Sequence, residues 1–191
     1  MTTSPGPCTN FAVTADEVRT AFGLTGVVHY PRYNAPHIRL DARTAHLLST
    51  VGLPDTEWFM AKASLRADDH VDIPRWYRTR GAVPRECRDW LVLGMLADTT
   101  LGLDPNSGTV HALGDSLTRM TYTPLHRDVE SLLYTLTRFQ TLRQALEAGT
   151  SDTEEQLDAL RARITAFDPL PFADEESQWH LIFEEVNDGI W

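Results

Sequence analysis

Residues 89–123 read DWLVLGMLADTTLGLDPNSGTVHALGDSLTRMTYT, and the fold follows from how this stretch divides. Trp90, Val92, Gly94 and Leu96 alternate with Leu91, Leu93 and Met95, so both faces are apolar, as in a central strand covered on each side. Thr99 to Asp104 predicts a second strand. Pro105-Asn106-Ser107-Gly108 then reverses the chain, because proline presets φ at the first turn position and Gly108 accepts positive φ. Thr109 to Leu113 is the return strand, Gly114-Asp115 turns again, and Leu117 to Tyr122 makes a fourth pass. The expectation is an α+β domain built on a largely antiparallel meander, 89–122, with helices around it.

Working outward toward the C-terminal side, Asp128 caps the strongest helix in the chain. Val129, Leu132, Leu133, Leu136, Phe139 and Leu146 fall on one face at the helical period, and the helix ends before Gly149. Thr153 to Phe167 is a second amphipathic helix carrying Leu157, Leu160 and Ile164, closed by Asp168-Pro169. A last helix is expected to open with Asp174-Glu175-Glu176 and to bury Trp179, Ile182, Phe183 and Val186.

On the N-terminal side, residues 1–10 are rich in Pro, Thr and Ser and read as a disordered tail, leaving 11–191 as one domain. Thr14 and Glu17 form a capping box for a helix that stops at Gly23. Val27 to Tyr30 reads as a short edge strand. Asp41 caps a helix bearing Ala45, Leu47, Leu48 and Val51, with Gly52 at the left-handed exit position. Between Asp55 and Arg88 the pattern is irregular: Trp58-Phe59-Met60 is a candidate strand, and Ile73 to Tyr77 reads as an aromatic turn or short strand.

The formal charge is −10, and its placement matters more than its size. From Asp152 to Trp191 there are eleven Asp and Glu against two Arg. Such an end repels nucleic acid and attracts a basic protein across a Debye length of about 8 Å. The candidate partner-binding residues are therefore Asp152, Glu154, Glu155, Asp158, Asp174, Glu175, Glu176, Glu184, Glu185 and Asp188. The competing reading is solvated surface that keeps a protein soluble. Arg75, Arg78, Arg80, Arg85 and Arg88 flank Trp76 and Tyr77, a mixture that can bind phosphates and stack bases, or simply cover apolar surface and pair with acids.

No metalloprotease, phosphate-loop, dinucleotide or serine-hydrolase signature is present, and Cys8 with Cys87 are too few for a zinc site or a disulfide framework. His70 with Asp72 is the nearest approach to a ligand pair. The expectation is a cytoplasmic non-enzyme with no cofactor, since no apolar run reaches membrane-spanning length and no signal peptide opens the chain.

The order of these elements resembles the SUKH superfamily, and within it the fourth group of SUKH immunity proteins of bacterial polymorphic-toxin systems. The resemblance is carried by Thr14-x-x-Glu17 through Phe22-Gly23, by Ala42-Arg43-Thr44 with Leu48-x-x-Val51-Gly52-Leu53-Pro54, and by Gly102-Leu103-Asp104 followed by Ser107-Gly108-Thr109-Val110. Tyr122 to Phe139 and Trp179 to Gly189 complete it. Asp128 stands where the family usually has a Ser cap, and His126-Arg127 precede it in place of an Asn. The resemblance implies an α+β fold with a mixed sheet and a role as an antitoxin that binds a toxin domain, with nucleases and nucleic-acid deaminases among the targets. It implies structural roles for Gly52, Pro54, Gly108 and Trp179. A SUKH-like adaptor without a toxin partner is the alternative, and an enzyme using His70 and Asp72 a third.

Overall fold

The computed structural model describes residues 10–32, 39–63, 72–77, 83–114, 120–149 and 153–191. Its centre is an open five-stranded antiparallel sheet in the order β3-β4-β5-β6-β7: β3 Phe59–Ala61, β4 Leu91–Leu96, β5 Thr99–Leu103, β6 Val110–Gly114 and β7 Thr121–His126. A small antiparallel ribbon pairs β1 Val27–Val28 with β2 Leu53–Pro54. The α+β meander is as expected, and all the pairings among the described residues are antiparallel. Of the fourth pass, expected over 117–122, residues 117–119 lie outside the described residues; the described strand covers 121–126 and runs almost to the helix cap.

Strict alternation does not survive along β4. A β-bulge between Val92 and Gly94 puts one extra residue opposite β5, after which Leu96 shares the main core with Leu91 and Leu93. Trp90 and Val92 face the other side, in a smaller cluster with Ile73, Tyr77, Cys87, Leu113 and Met120. A second irregularity, between Val110 and His111, has the same effect on β7. Val110 and His126 are partners, so Leu125 and His126 both turn to the helix-covered face.

Among the described residues six α-helices flank the sheet: α1 Ala15–Phe22, α2 Ala42–Thr50, α3 Ile73–Trp76, α4 Val129–Glu147, α5 Thr153–Phe167 and α6 Gln178–Asn187. The Thr14 capping box is formed, and Asp41 accepts from the amides of Arg43 and Thr44. Ile73–Trp76 is one helical turn rather than a strand, because the Asp72 carboxylate accepts the Arg75 amide at 2.7 Å and Pro74 sits where no amide is needed. The central helix is α4, which touches α1, α2, α5, β2 and β7. It buries Ser131, Thr135 and Thr137 as well as its apolar residues, so contact on several sides replaces the single face read from periodicity.

α2 leaves through Gly52 at φ +82°, where a Cβ would come within 2.6 Å of the Val28 carbonyl oxygen. That glycine lets the β1–β2 ribbon close against the helix end.

Candidate partner-binding surface

The acidic candidates among the described residues lie on α5, on α6 and its C-terminal end, and on the turn that joins the two helices. Helix α5 turns Leu157, Leu160 and Ile164 inward, which leaves Glu154 and Asp158, one turn apart, on an outer flank. Helix α6 buries Trp179, Ile182, Phe183 and Val186, so Glu184 points away from the core. Together they form a shallow cleft of about 150 Å³ with Glu154 and Asp158 on one wall, Glu184 and Asn187 on the other, and Leu157 and Phe183 at its base. Arg161 enters the same cleft with its guanidinium over the rings of Phe172 and Phe183, at 5.2 and 5.9 Å. Its Nε is buried without a hydrogen-bond partner.

The other described carboxylates lie on α5, before α6 and at its far end. Asp174, Glu175 and Glu176 are exposed, but they precede the helix instead of opening it. Ser177 is the cap, accepting from the His180 amide at 3.2 Å and donating its hydroxyl to the Pro171 carbonyl at 2.7 Å. Asp174 spends its side chain inside the turn, accepting the Glu176 amide at 2.9 Å. Glu185 and Asp188 lie at the far end of α6, on the order of 15 Å from that turn by helical rise. Glu185 accepts the Trp191 indole N–H at 2.6 Å. Glu155 is exposed beside the cleft, and Asp152 lies outside the described residues. The structure therefore gathers Glu154, Asp158 and Glu184 and separates the rest.

One acidic residue of this end is not surface at all. Asp168 is buried, and its carboxylate accepts from the Ser131 hydroxyl at 2.5 Å, the Arg127 amide at 2.8 Å and the Leu170 amide at 3.1 Å. Ser131 Oγ also lies 3.0 Å from Nδ1 of His126, whose Nε2 accepts the Trp179 indole N–H at 2.8 Å. An indole only donates, so Nε2 is the acceptor and Nδ1 carries the proton. His126 then donates to Ser131, and Ser131 to Asp168. A serine, a histidine and an acid thus meet, but the proton runs from histidine to serine to carboxylate, the reverse of an activated nucleophile, and the group is sealed from solvent. Burial pushes the His126 pKa well down, against an opposing pull from Asp168. No motif announces this network: its members come from β7, α4, the α5 exit and α6.

The arginine segment offers little to bases. Tyr77 is buried, and Trp76 is half-buried with its indole N–H on Thr100 Oγ1 at 3.1 Å. Arg78, Arg80 and His70 lie outside the described residues, while the Asp72 carboxylate serves as a helix cap. Burial, with Glu86 and Asp104 nearby, pushes the Cys87 thiol up to about 12, so it stays protonated. Among the described residues no group of three or more His, Cys, Asp or Glu is placed to hold a metal ion. None of the helices, among those residues, is long and apolar enough to cross a membrane.

A meander backed by helices, with its polar cluster locked in the core and its carboxylates outside, is an α+β fold. The family model described as SUKH-4 immunity protein matches residues 13–185, and the chain belongs to that family. No curated protein and no solved structure matches it.

Proposed function

We propose that this protein acts in the cytoplasm as the immunity partner of a polymorphic toxin, binding the toxin domain and occluding its active site. The toxin class this reading favours is a nuclease or nucleic-acid deaminase, because an enzyme that holds nucleic acid presents a basic groove. Family membership over residues 13–185 carries the immunity role. The cleft carboxylates Glu154, Asp158 and Glu184 support the toxin class, since they offer anionic groups in a groove where phosphates would otherwise lie.

The test is affinity capture of the tagged protein from its native host, washed at low and then high salt, with the retained partner identified by mass. A toxin domain held one-to-one supports the reading. A housekeeping complex in its place would make the protein an adaptor.

A further inference from the structure

Helix α5 has a cavity on each flank, and the two are opposite in charge. The cleft on its α6 side carries Glu154, Asp158 and Glu184. On its α4 side lies a groove of about 250 Å³, lined by Leu142, Ala145, Ala159 and Leu160 together with Arg138 and Arg163. The buried Leu142 and Leu160 make its base, and no Asp or Glu lines it among the described residues. Helical spacing produces the split. Glu154 and Arg163 are nine positions apart, about two and a half turns, and so belong to opposite flanks.

The two arginines of the groove differ. Arg138 donates from Nη2 to Glu17 at 3.2 Å and lies 5.0 Å over the Tyr134 ring, so its charge is already matched. Arg163 is exposed and makes no ion pair among the described residues. An unmatched guanidinium beside an apolar groove, in a chain of net charge −10, complements a single carboxylate on an apolar stem. A nucleic-acid strand would bring further phosphates against Glu154 and Asp158 on the same helix. We propose, resting on the immunity reading, that the toxin domain straddles α5. Its basic residues enter the acidic cleft, and an Asp or Glu of the same domain, beside an apolar side chain, occupies the α4–α5 groove and pairs with Arg163. Charge complementarity selects this occupant, and the helix shared by the two cavities places both contacts on one partner. Opposite signs on the two flanks also fix its orientation, because reversed docking sets like charges together.

The experiment uses the toxin domain captured from the host, made catalytically inactive and immobilised, with the full chain passed over it. Arg163→Glu reverses the groove's unmatched charge, and Ala159→Phe fills the groove without changing charge. Each is expected to dissociate at least about tenfold faster than the unsubstituted protein. Melting temperatures should match the parent, because both positions are exposed. The charge reversal separates a groove contact from steering alone. A basic partner drawn only to the acidic cleft would reach the more acidic Arg163→Glu protein at least as fast and leave it at the parental rate. Parental dissociation in either variant would overturn the inference while leaving the immunity reading standing, whereas capture of no toxin domain would overturn both. Sedimentation of the protein alone supplies the other arm: a dimer that Arg163→Glu dissolves would place a second copy's carboxylates in the groove and overturn the proposal.

Discussion

The indole N–H of Trp179 donates to Nε2 of His126 across 2.8 Å in the fully buried interior, tying α6 to the last turn of the sheet. This single bond selects the histidine tautomer, and through it orients Ser131 toward Asp168. Its strength depends on His126 remaining neutral.

Stability should therefore fall as the pH drops below the ordinary histidine value of 6.5. The folded protein keeps His126 unprotonated and the unfolded chain does not, so unfolding takes up a proton and acid favours it. The loss is about 1.4 kcal/mol per pH unit, or about 2 kcal/mol between pH 7.5 and pH 5. His111, lowered by burial, adds with the same sign. Glu17 is held below the usual range by the Thr14 hydrogen bonds, and in Asp41 hydrogen bonds from Thr44 and Arg43 outweigh an opposing burial effect. Those two carboxyls lose their contribution only at lower pH. Urea unfolding at the two pH values measures the slope, and His126→Gln should make it shallower. Equal midpoints at both pH values would contradict the neutral buried histidine.

Asp168→Ala should cost about 3 kcal/mol or more, since it strands the Ser131 hydroxyl and the amides of Arg127 and Leu170 without an acceptor. A chemical-denaturation midpoint within error of the parent would show that water replaces the carboxylate at no cost.

Two glycines with nearly the same φ should respond differently to alanine. Gly52 at +82° meets the Val28 carbonyl oxygen and Val27 Cγ1, at 2.6 and 2.9 Å from an added Cβ, whereas Gly108 at +77° meets nothing within 4 Å. Gly108→Ala should cost about 1 kcal/mol, from backbone strain alone. Gly52→Ala should cost about 3 kcal/mol or more, because crowding adds to strain. Matched thermal melts decide it, and equal losses would remove the crowding argument.

Reversing charge at Glu184 and Asp158 should slow association with the toxin domain several-fold at low salt and flatten its salt dependence, while stability changes by less than about 0.5 kcal/mol. Stopped-flow association across a salt series reads this directly. Rates that superimpose at every salt concentration would make the carboxylates bystanders.

Local chemistry made much of the framework legible. The Thr14–Glu17 capping box, the Asp41 and Asp128 caps, the helix over 153–167 and the turn at Gly108 are all decided by neighbours in sequence, and they formed where those neighbours placed them. The sequence pattern opens α6 too early, because Asp174-Glu175-Glu176 has the composition of a first helical turn. The hydroxyl that reaches an orphan amide there belongs to Ser177. Of the ten acidic candidates, composition marked the end of the chain they occupy but not which of them share a cleft. That depends on how α5 and α6 are packed.

The sequence by itself determined the caps at Thr14, Asp41 and Asp128, the turn at Gly108, the antiparallel meander and the terminal excess of negative charge, because each depends on residues a few positions apart. Tertiary structure alone decided which faces the strands present, since each bulge reverses the alternation that periodicity assumes. The bulge beside Val110 puts His126 on the helix side of the sheet, within reach of Trp179. Packing also turned one acidic residue of the charged end, Asp168, into a core hydrogen-bond acceptor and set the Trp58 ring between those of Phe22 and Trp191. Burial and proximity between residues distant in the chain are properties of the packed whole, and no local pattern encodes them.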